Sequence, residues 1–354
     1  MRLTRTRALA VAAAATLVLA ACGGDDSSSS SNEASTETTA ASSGDSSDSS
    51  SPEVVDVAEG GSILDAVIAR GTLNCGVSGA AVAFSYAVEF TALTAAERFT
   101  AVQTGAVDVL MRNSTWTQSR DSEVGMDFGP TTYYDGQQLM GRASDGFTSA
   151  SQVDEVDGAV VCTNAGTTTE TNISELAGQL GINITLTTFE DTDQVTDAFI
   201  AGTCDVITTD GSGLVGRKAA QQPDGEEWVI FPATPISKEP LGPVYAQNDS
   251  KWADAVNWVV YATLIADEYG VTSGDADAAL AGDFGPEMQR LMGGEGELQT
   301  KMGLSADAFY NTISQVGNYQ EIWDANLTPV GLVREGSANA LWTDGGLMYA
   351  PPAR

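Results

Sequence analysis

From residue 57 onward the apolar positions come in short bursts, each closed by a glycine or a polar turn. Residues 62–70 predict a short amphipathic helix, and 72–78 (TLNCGVS) predict a strand. Residues 94–104 predict a helix that starts in a capping box, Thr94 with Glu97, and stops at Gly105. The apolar run 107–111 then reads as a buried strand. The same order returns later: a strand at 157–162, a helix from the turn at 164–170 to Leu180, a strand at 182–189, a helix at 193–201 stopped by Gly202, and a strand at 204–209. The unit of helix, glycine, Asp-Val strand and polar turn thus occurs twice, at Gly105/Asp108-Val109 and at Gly202/Asp205-Val206. Two similar βα lobes follow from that repeat, with extended connections at 132–142 and 240–246. A long apolar helix at 252–269 suits core packing better than a membrane span, and further helices are expected at 287–292 and 306–326.

The turns that end the strands carry the candidate chemistry. Residues 112–117 (RNSTWT) close the strand 107–111, and Arg120 follows within reach. Ligands of open α/β sheets bind at the carboxyl ends of the strands. A turn there offers backbone N–H groups and hydroxyls, and an arginine fork grips a carboxylate with two hydrogen bonds. Asn113, Thr115 and Arg120 therefore read as a small-anion clamp; a surface turn with a solvated arginine is the alternative. Thr167 and Thr168 sit where a strand meets a helix N-terminus, whose free N–H groups favour an anion, although a plain helix cap has the same composition. Asp210 ends the strand of the second unit and is placed to accept an ammonium group, unless it is only a turn aspartate beside Gly211. A carboxylate clamp facing an ammonium acceptor matches a free α-amino acid.

Charge and composition narrow the class. The chain has 16 basic and 48 acidic residues, net −32, which argues against nucleic acid or anionic lipid as a partner. There is no histidine, which removes Ser-His-Asp and Cys-His catalysis and every His-ligated metal site; no cofactor or metal is expected. Residues 1–21 have a basic start at Arg2, Arg5 and Arg7 and an apolar stretch at 8–20, the pattern of a secretory signal. It ends in Leu19-Ala20-Ala21-Cys22, which resembles a bacterial lipobox and implies acylation of Cys22 and anchoring at the outer face of the cytoplasmic membrane. Without the three signal arginines the balance is 13 basic to 48 acidic, or −35. Residues 22–57 then form a Ser/Asp-rich tract too poor in apolar residues to fold, expected to be a disordered tether.

Several long segments together resemble one family. RNSTWTQSRD (112–121), AGTTTETN (165–172), CDVITTDGSGL (204–214), SKEPLGPVYAQND (237–249), QVGNYQEIW (315–323) and GGLMYAPP (345–352) are similar to the general L-amino-acid-binding proteins of ABC importers, substrate-binding protein family 3. The likeness covers about residues 64–354. It implies an α/β, bilobal periplasmic-binding-protein type II fold of two mixed-sheet lobes joined by two hinge strands, closing on its ligand. Residues 58–142 plus 244–354 would form lobe 1 with a C-terminal helical extension, and 143–243 lobe 2. The resemblance puts the ligand carboxylate on Arg120, the main chain near Thr115 and the Thr167–Thr168 turn. It puts the α-amino group on Asp210 and the main-chain oxygen near Asn113, with Phe84 as an aromatic beside the ligand. The expected partners are a free L-amino acid, ABC permease subunits and the membrane through Cys22, for a monomer that performs no catalysis.

The chain departs from the family at one place. Relatives carry roughly three dozen residues, a strand and a helix, between the Phe-Ser of the first loop and the Leu-Thr-Ala of the next helix; here Phe84-Ser85-Tyr86 runs almost directly into Val88-Glu89-Phe90-Thr91-Ala92-Leu93. Lobe 1 is therefore expected to lack one βα unit. By the same resemblance Cys75 loses its partner, leaving Cys162 and Cys204 as a disulfide within lobe 2. Two other readings compete: a degenerate binding domain kept for sensing or interaction, and a lyase or dehydratase on the same fold, for which Glu97, Glu170 and Glu239 are the nominal acids.

Overall fold

The apolar bursts pair into two five-stranded mixed sheets with a two-stranded ribbon between them. The computed structural model describes residues 61–77 and 88–354; the expected signal, Cys22, the tether and Phe84 lie outside the described residues. In chain order, α1 (Ile63–Arg70), β1 (Leu73–Val77), β2 (Val88–Ala92), α2 (Arg98–Gln103), β3 (Val109–Leu110), α3 (Gln118–Ser122) and β4 (Met126–Phe128) build lobe 1. The ribbon strand β5 (Tyr133–Asp135) leads to β6 (Gln137–Arg142), β7 (Val160–Asn164), α4 (Thr168–Leu180), β8 (Thr185–Phe189), α5 (Thr192–Ile200), β9 (Val206–Asp210), α6 (Gly211–Gln221) and β10 (Trp228–Phe231), which build lobe 2. The chain returns through β11 (Glu239–Leu241) to β12 (Val244–Ala246) in lobe 1, then continues into α7 (Ser250–Glu268). Strand order is β2-β1-β3-β12-β4 in one sheet and β10-β6-β9-β7-β8 in the other, and β5 pairs antiparallel with β11 between them.

Strand alternation decides which side chain faces which helix. In lobe 2, Val161 and Val206 point to the face covered by Ile173 of α4, while Cys162 and Ile207 point to Val195 and Phe199 of α5 and to Trp228. Every one of these side chains is essentially buried, each stabilising by roughly 1.5–3 kcal/mol for the larger ones. In lobe 1 the same register, Cys75 beside Val109, turns both residues toward Leu64 of α1 and Trp252 of α7, while Leu110 faces Ala101 and Val102 of α2. The repeated Asp-Val has a physical role in lobe 1. The buried Asp108 accepts from the Asn74 N–H at 2.7 Å and from Arg70 at 2.5 Å, tying the start of β3 to α1 and β1.

Two expectations change. The strand expected to be missing from lobe 1 is present: Val88–Ala92 forms β2, parallel to β1 over five residue pairs. What differs from lobe 2 is the connection, ten residues from β1 to β2 against twenty, holding α4, from β7 to β8. The single helix expected at 306–326 is instead two, α8 (Ala276–Ala281) through α12 being short: α9 (Pro286–Leu291), α10 (Leu298–Lys301), α11 (Ala308–Val316) and α12 (Tyr319–Asn326). The break falls at Gly317, whose φ of 83° favours glycine, and Asn318 opens α12 in a reciprocal capping box with Glu321. These helices explain the apolar character of α7. Its first half packs on the lobe 1 sheet, and Ala262, Leu264 and Ile265 of its second half sit among Met288, Phe309 and Trp323. Among the described residues no helix is long and apolar enough to cross a membrane.

Candidate functional site

The two polar turns singled out in the sequence face each other across the cleft between the lobes. The lobe 1 turn is pinned to the ribbon, Thr115 bridging Leu241 and the Trp116 N–H donating to the Pro240 carbonyl at 2.9 Å. Thr117 caps α3 by accepting from the Arg120 N–H at 3.3 Å, which turns the Arg120 side chain inward. Its guanidinium donates to the Thr115 carbonyl at 2.8 Å and lies 5.1 Å from the centre of the Phe99 ring. Arg120 is buried, and desolvation pulls its pKa below the usual arginine range against the opposing charges of Glu239 and Asp210. On the lobe 2 side, Thr167 caps α4 by accepting from the Glu170 N–H at 3.2 Å. The Glu170 carboxylate reaches the Gly166 N–H at 2.7 Å, one residue earlier than a strict capping box requires.

Side chains from the two lobes touch directly. Asn113 donates through Nδ2 to Asp210 Oδ2 at 2.9 Å, and the Thr115 and Thr168 hydroxyls stand 3.4 Å apart. Asp210 is buried, and its pKa is pushed up to about 7, first by burial and then by the charge of Asp135, with the Asn113 hydrogen bond and the Arg98 charge pulling the other way. The cleft therefore brings together Asn113, Thr115, Arg120, Thr167, Thr168 and Asp210 in one pocket.

The same pocket holds residues that sequence reasoning passed over. Arg98, Arg112 and Arg217 also line it. Arg98 opens α2 and lies 4.8 Å from the Phe99 ring centre, so that one ring meets two guanidiniums through its negative faces. Arg112 is the immediate neighbour of Asn113, so its position at a strand end was the available signal; Arg98 and Arg217 sit on helices and gave none. Glu239 of β11 is buried and accepts from Thr115, from Thr168 at 2.9 Å, from Asn172 at 2.9 Å and from Ser237 at 2.5 Å. It ties both lobes to the hinge. Glu97 and Glu170, the other nominal acids, are spent on capping Thr94 and Gly166. Among the described residues no group of acidic or cysteine side chains is placed to hold a metal ion. Cys162 and Cys204 are joined by a disulfide, and Cys75 is a buried thiol whose pKa burial pushes up to about 11.

A cleft between two α/β lobes, crossed by two antiparallel hinge strands and lined by strand-end turns, defines a bilobal solute-binding protein of the periplasmic-binding-protein type II fold. The model of the bacterial extracellular solute-binding proteins, family 3, matches residues 78–270, and the chain belongs to that family. It is 41% identical to the glutamate/glutamine/aspartate/asparagine-binding protein BztA of Rhodobacter capsulatus, over 84% of this chain and 95% of that one. It is 42% identical to the general L-amino acid-binding periplasmic protein AapJ of Rhizobium johnstonii, over 75% and 77%. Among solved structures, an ABC transporter periplasmic binding protein from Brucella ovis with glutathione bound superposes with a TM-score of 0.75 at 38% identity, covering 82% of this chain and 99% of that chain.

Proposed function

We propose that this protein captures a free L-α-amino acid between its lobes and delivers it to an ABC permease. The observation that carries the proposal is the cross-cleft pairing of a buried arginine from lobe 1, Arg120, with a buried aspartate from lobe 2, Asp210. Arg120, the Thr115 hydroxyl and the Thr167–Thr168 turn take the α-carboxylate, and Asp210 takes the ammonium in place of the Asn113 amide. The relatives named above support the ligand class, since glutamate, its amide and glutathione all present a free α-amino-acid end. Closure follows because the ligand bonds both lobes at once while β5 and β11 act as the hinge. Binding without chemistry fits the carboxylates present: Glu239 is occupied by four donors and stands as a structural tie. Cys22 carries the lipid that holds the monomer at the outer membrane face.

A calorimetric and thermal-shift screen of the purified protein against the twenty amino acids tests this. At least one should bind at micromolar levels, and Arg120→Ala should weaken it more than a hundredfold, the scale of a lost buried charge-assisted pair. Binding that survives Arg120→Ala sinks the clamp assignment.

A further inference from the structure

Helix α12 and the segment after it form a second cavity, and none of the residues lining it lines the cleft. Its volume is about 740 Å³. Trp323, Leu341 and Arg334 wall it, and the exposed Asp324, Glu335 and Asp344 line it as well. Arg334 is only 7% exposed. Its Nε donates to the Asn339 carbonyl at 2.9 Å, and its Nη1 donates to Gln320 Oε1 at 2.6 Å and stands 2.7 Å from Asp267 Oδ2. Its guanidinium lies 4.7 Å from the centre of the Tyr319 ring. The remaining nitrogen, Nη2, is buried and has no acceptor among the described residues. A buried charged donor left unpaired is costly, so an acceptor from outside the fold is called for.

The charge around that donor has the opposite sign. Asp324, Glu335 and Asp344, with Asp267 behind them, outnumber the single arginine of the cavity. Burial raises the Asp267 pKa, the Arg334 charge opposes the rise, and the charges of Asp344 and Asp324 add to it. An acceptor for Arg334 and a cation for the carboxylates are the two ends of one chemistry, a lysine- or arginine-type unit. Its aliphatic stem lies naturally against Trp323 and Leu341.

The walls of this cavity also hold the hinge. Trp323 stacks on Tyr133 of β5 with ring centres 5.5 Å apart, and the Tyr319 hydroxyl donates to the Thr132 carbonyl at 2.5 Å. Asn339, whose carbonyl Arg334 holds, accepts from the Tyr134 N–H at 2.7 Å and donates back to the Tyr134 carbonyl at 3.1 Å. Asn113 and Asp210 already touch across the cleft in this arrangement. A ligand that fits the cavity in this arrangement therefore stabilises the closed setting of β5. The geometry points to a second ligand site in the C-terminal helical region that takes a basic amino acid, or the basic residue of a peptide, and strengthens binding in the cleft. Its link to closure rests on the hinge role proposed above for β5; the site itself does not.

N-acetyl-L-argininamide is the probe, since it offers a guanidinium and carbonyls but neither free end of an amino acid. In calorimetry on the full protein it should bind wild type and Arg120→Ala equally. Replacing the exposed pair, Asp324→Asn with Asp344→Asn, should weaken it about fivefold. Arg334→Lys keeps a charge beside Asp267 but removes the fork, and should weaken it about tenfold. Free L-arginine titrated into the Arg120→Ala protein separates the two sources. Binding tighter than the probe supports a free amino acid as the occupant, and weaker binding supports a peptide residue. No binding of the probe, or binding unchanged by both sets of substitutions, overturns the site. Saturating probe should also tighten the cleft's best amino acid about fivefold, and Asn339→Ala should remove that gain while the probe still binds. An unchanged or weakened cleft affinity overturns the link to the hinge. Failure of every amino acid to bind in the cleft overturns the α-amino-acid reading alone, because the probe reads the second site directly.

Discussion

The two lobes solve the same packing problem with different amounts of chain. Both start from a pair of parallel strands, β7 with β8 and β1 with β2, each in register over five residue pairs. A parallel pair needs a crossover, ordinarily a dozen residues or more and usually a helix. Lobe 2 supplies α4, whose Ile173 is buried on Val161 and Val206. Lobe 1 has ten residues in that place, and α1 and α7 cover the equivalent face. Among the described residues they leave an apolar groove of about 290 Å³ whose walls include Leu73, Cys75, Val109, Met111, Trp252 and Leu304. Met111 is 44% exposed at its mouth. Lobe 2, in addition, has strand β7 stapled to the segment before β9 by the disulfide. The lesson is that the half of the site carrying Arg120 rests on the less consolidated lobe, and the half carrying Asp210 on the more consolidated one.

Three measurements can break or sharpen that contrast. The largest effect belongs to the staple. Replacing Cys162 and Cys204 together by alanine should cost roughly 2–4 kcal/mol in urea unfolding, with the loss confined to lobe 2. A smaller loss would mean that packing alone sets lobe 2 apart. Next is native-state hydrogen exchange in the wild-type protein. Amides of β1 and β2 should open about a hundredfold more readily than those of β7 and β8, because less apolar surface covers them. Equal protection would show that α1 and α7 replace the crossover helix fully.

The smallest effect is a pH dependence that separates the two halves of the site. An ammonium ligand needs Asp210 ionised, while its ligand-free pKa stands at about 7. Affinity should therefore fall by about tenfold per pH unit below 7, with a proton released on binding, whereas the Arg120 half does not titrate in that range. Ligand-free stability runs the opposite way. The folded pKa of Asp210 lies above its unfolded value, so the folded state binds the extra proton between about pH 4 and 7 and stability declines as pH rises through that window. A flat affinity from pH 6 to 8 would remove Asp210 as the ammonium partner.

Most of the fold was legible because its signals are local. The Gly105 and Gly202 stops, the Thr167 cap and the apolar runs at β3 and β9 are set by neighbours a few residues away and stand where the periodicity put them, whereas the Thr94–Glu97 hydrogen bonds form in a turn ahead of α2, which begins only at Arg98. The exception at 306–326 is also local in cause: Gly317 tolerates a positive φ, and Asn318 restarts the helix, a break that apolar periodicity does not register. The strand Val88–Ala92 was hidden for another reason, since its identity depends on having β1 beside it.

The sequence by itself determined the two polar turns, the capping of α4, the acceptor at the end of β9 and the absence of histidine chemistry. All of these follow from residue type and short-range spacing. Only the tertiary structure decided that the Asn113 and Asp210 turns meet across one cleft, that Glu239 is held there by groups from both lobes, and that Arg98, Arg112 and Arg217 converge beside Arg120. The physical reason is separation along the chain. Polar groups 97 residues apart, like Asn113 and Asp210, acquire their burial and their partners only when the hinge brings the strand ends together, and no local pattern records that encounter.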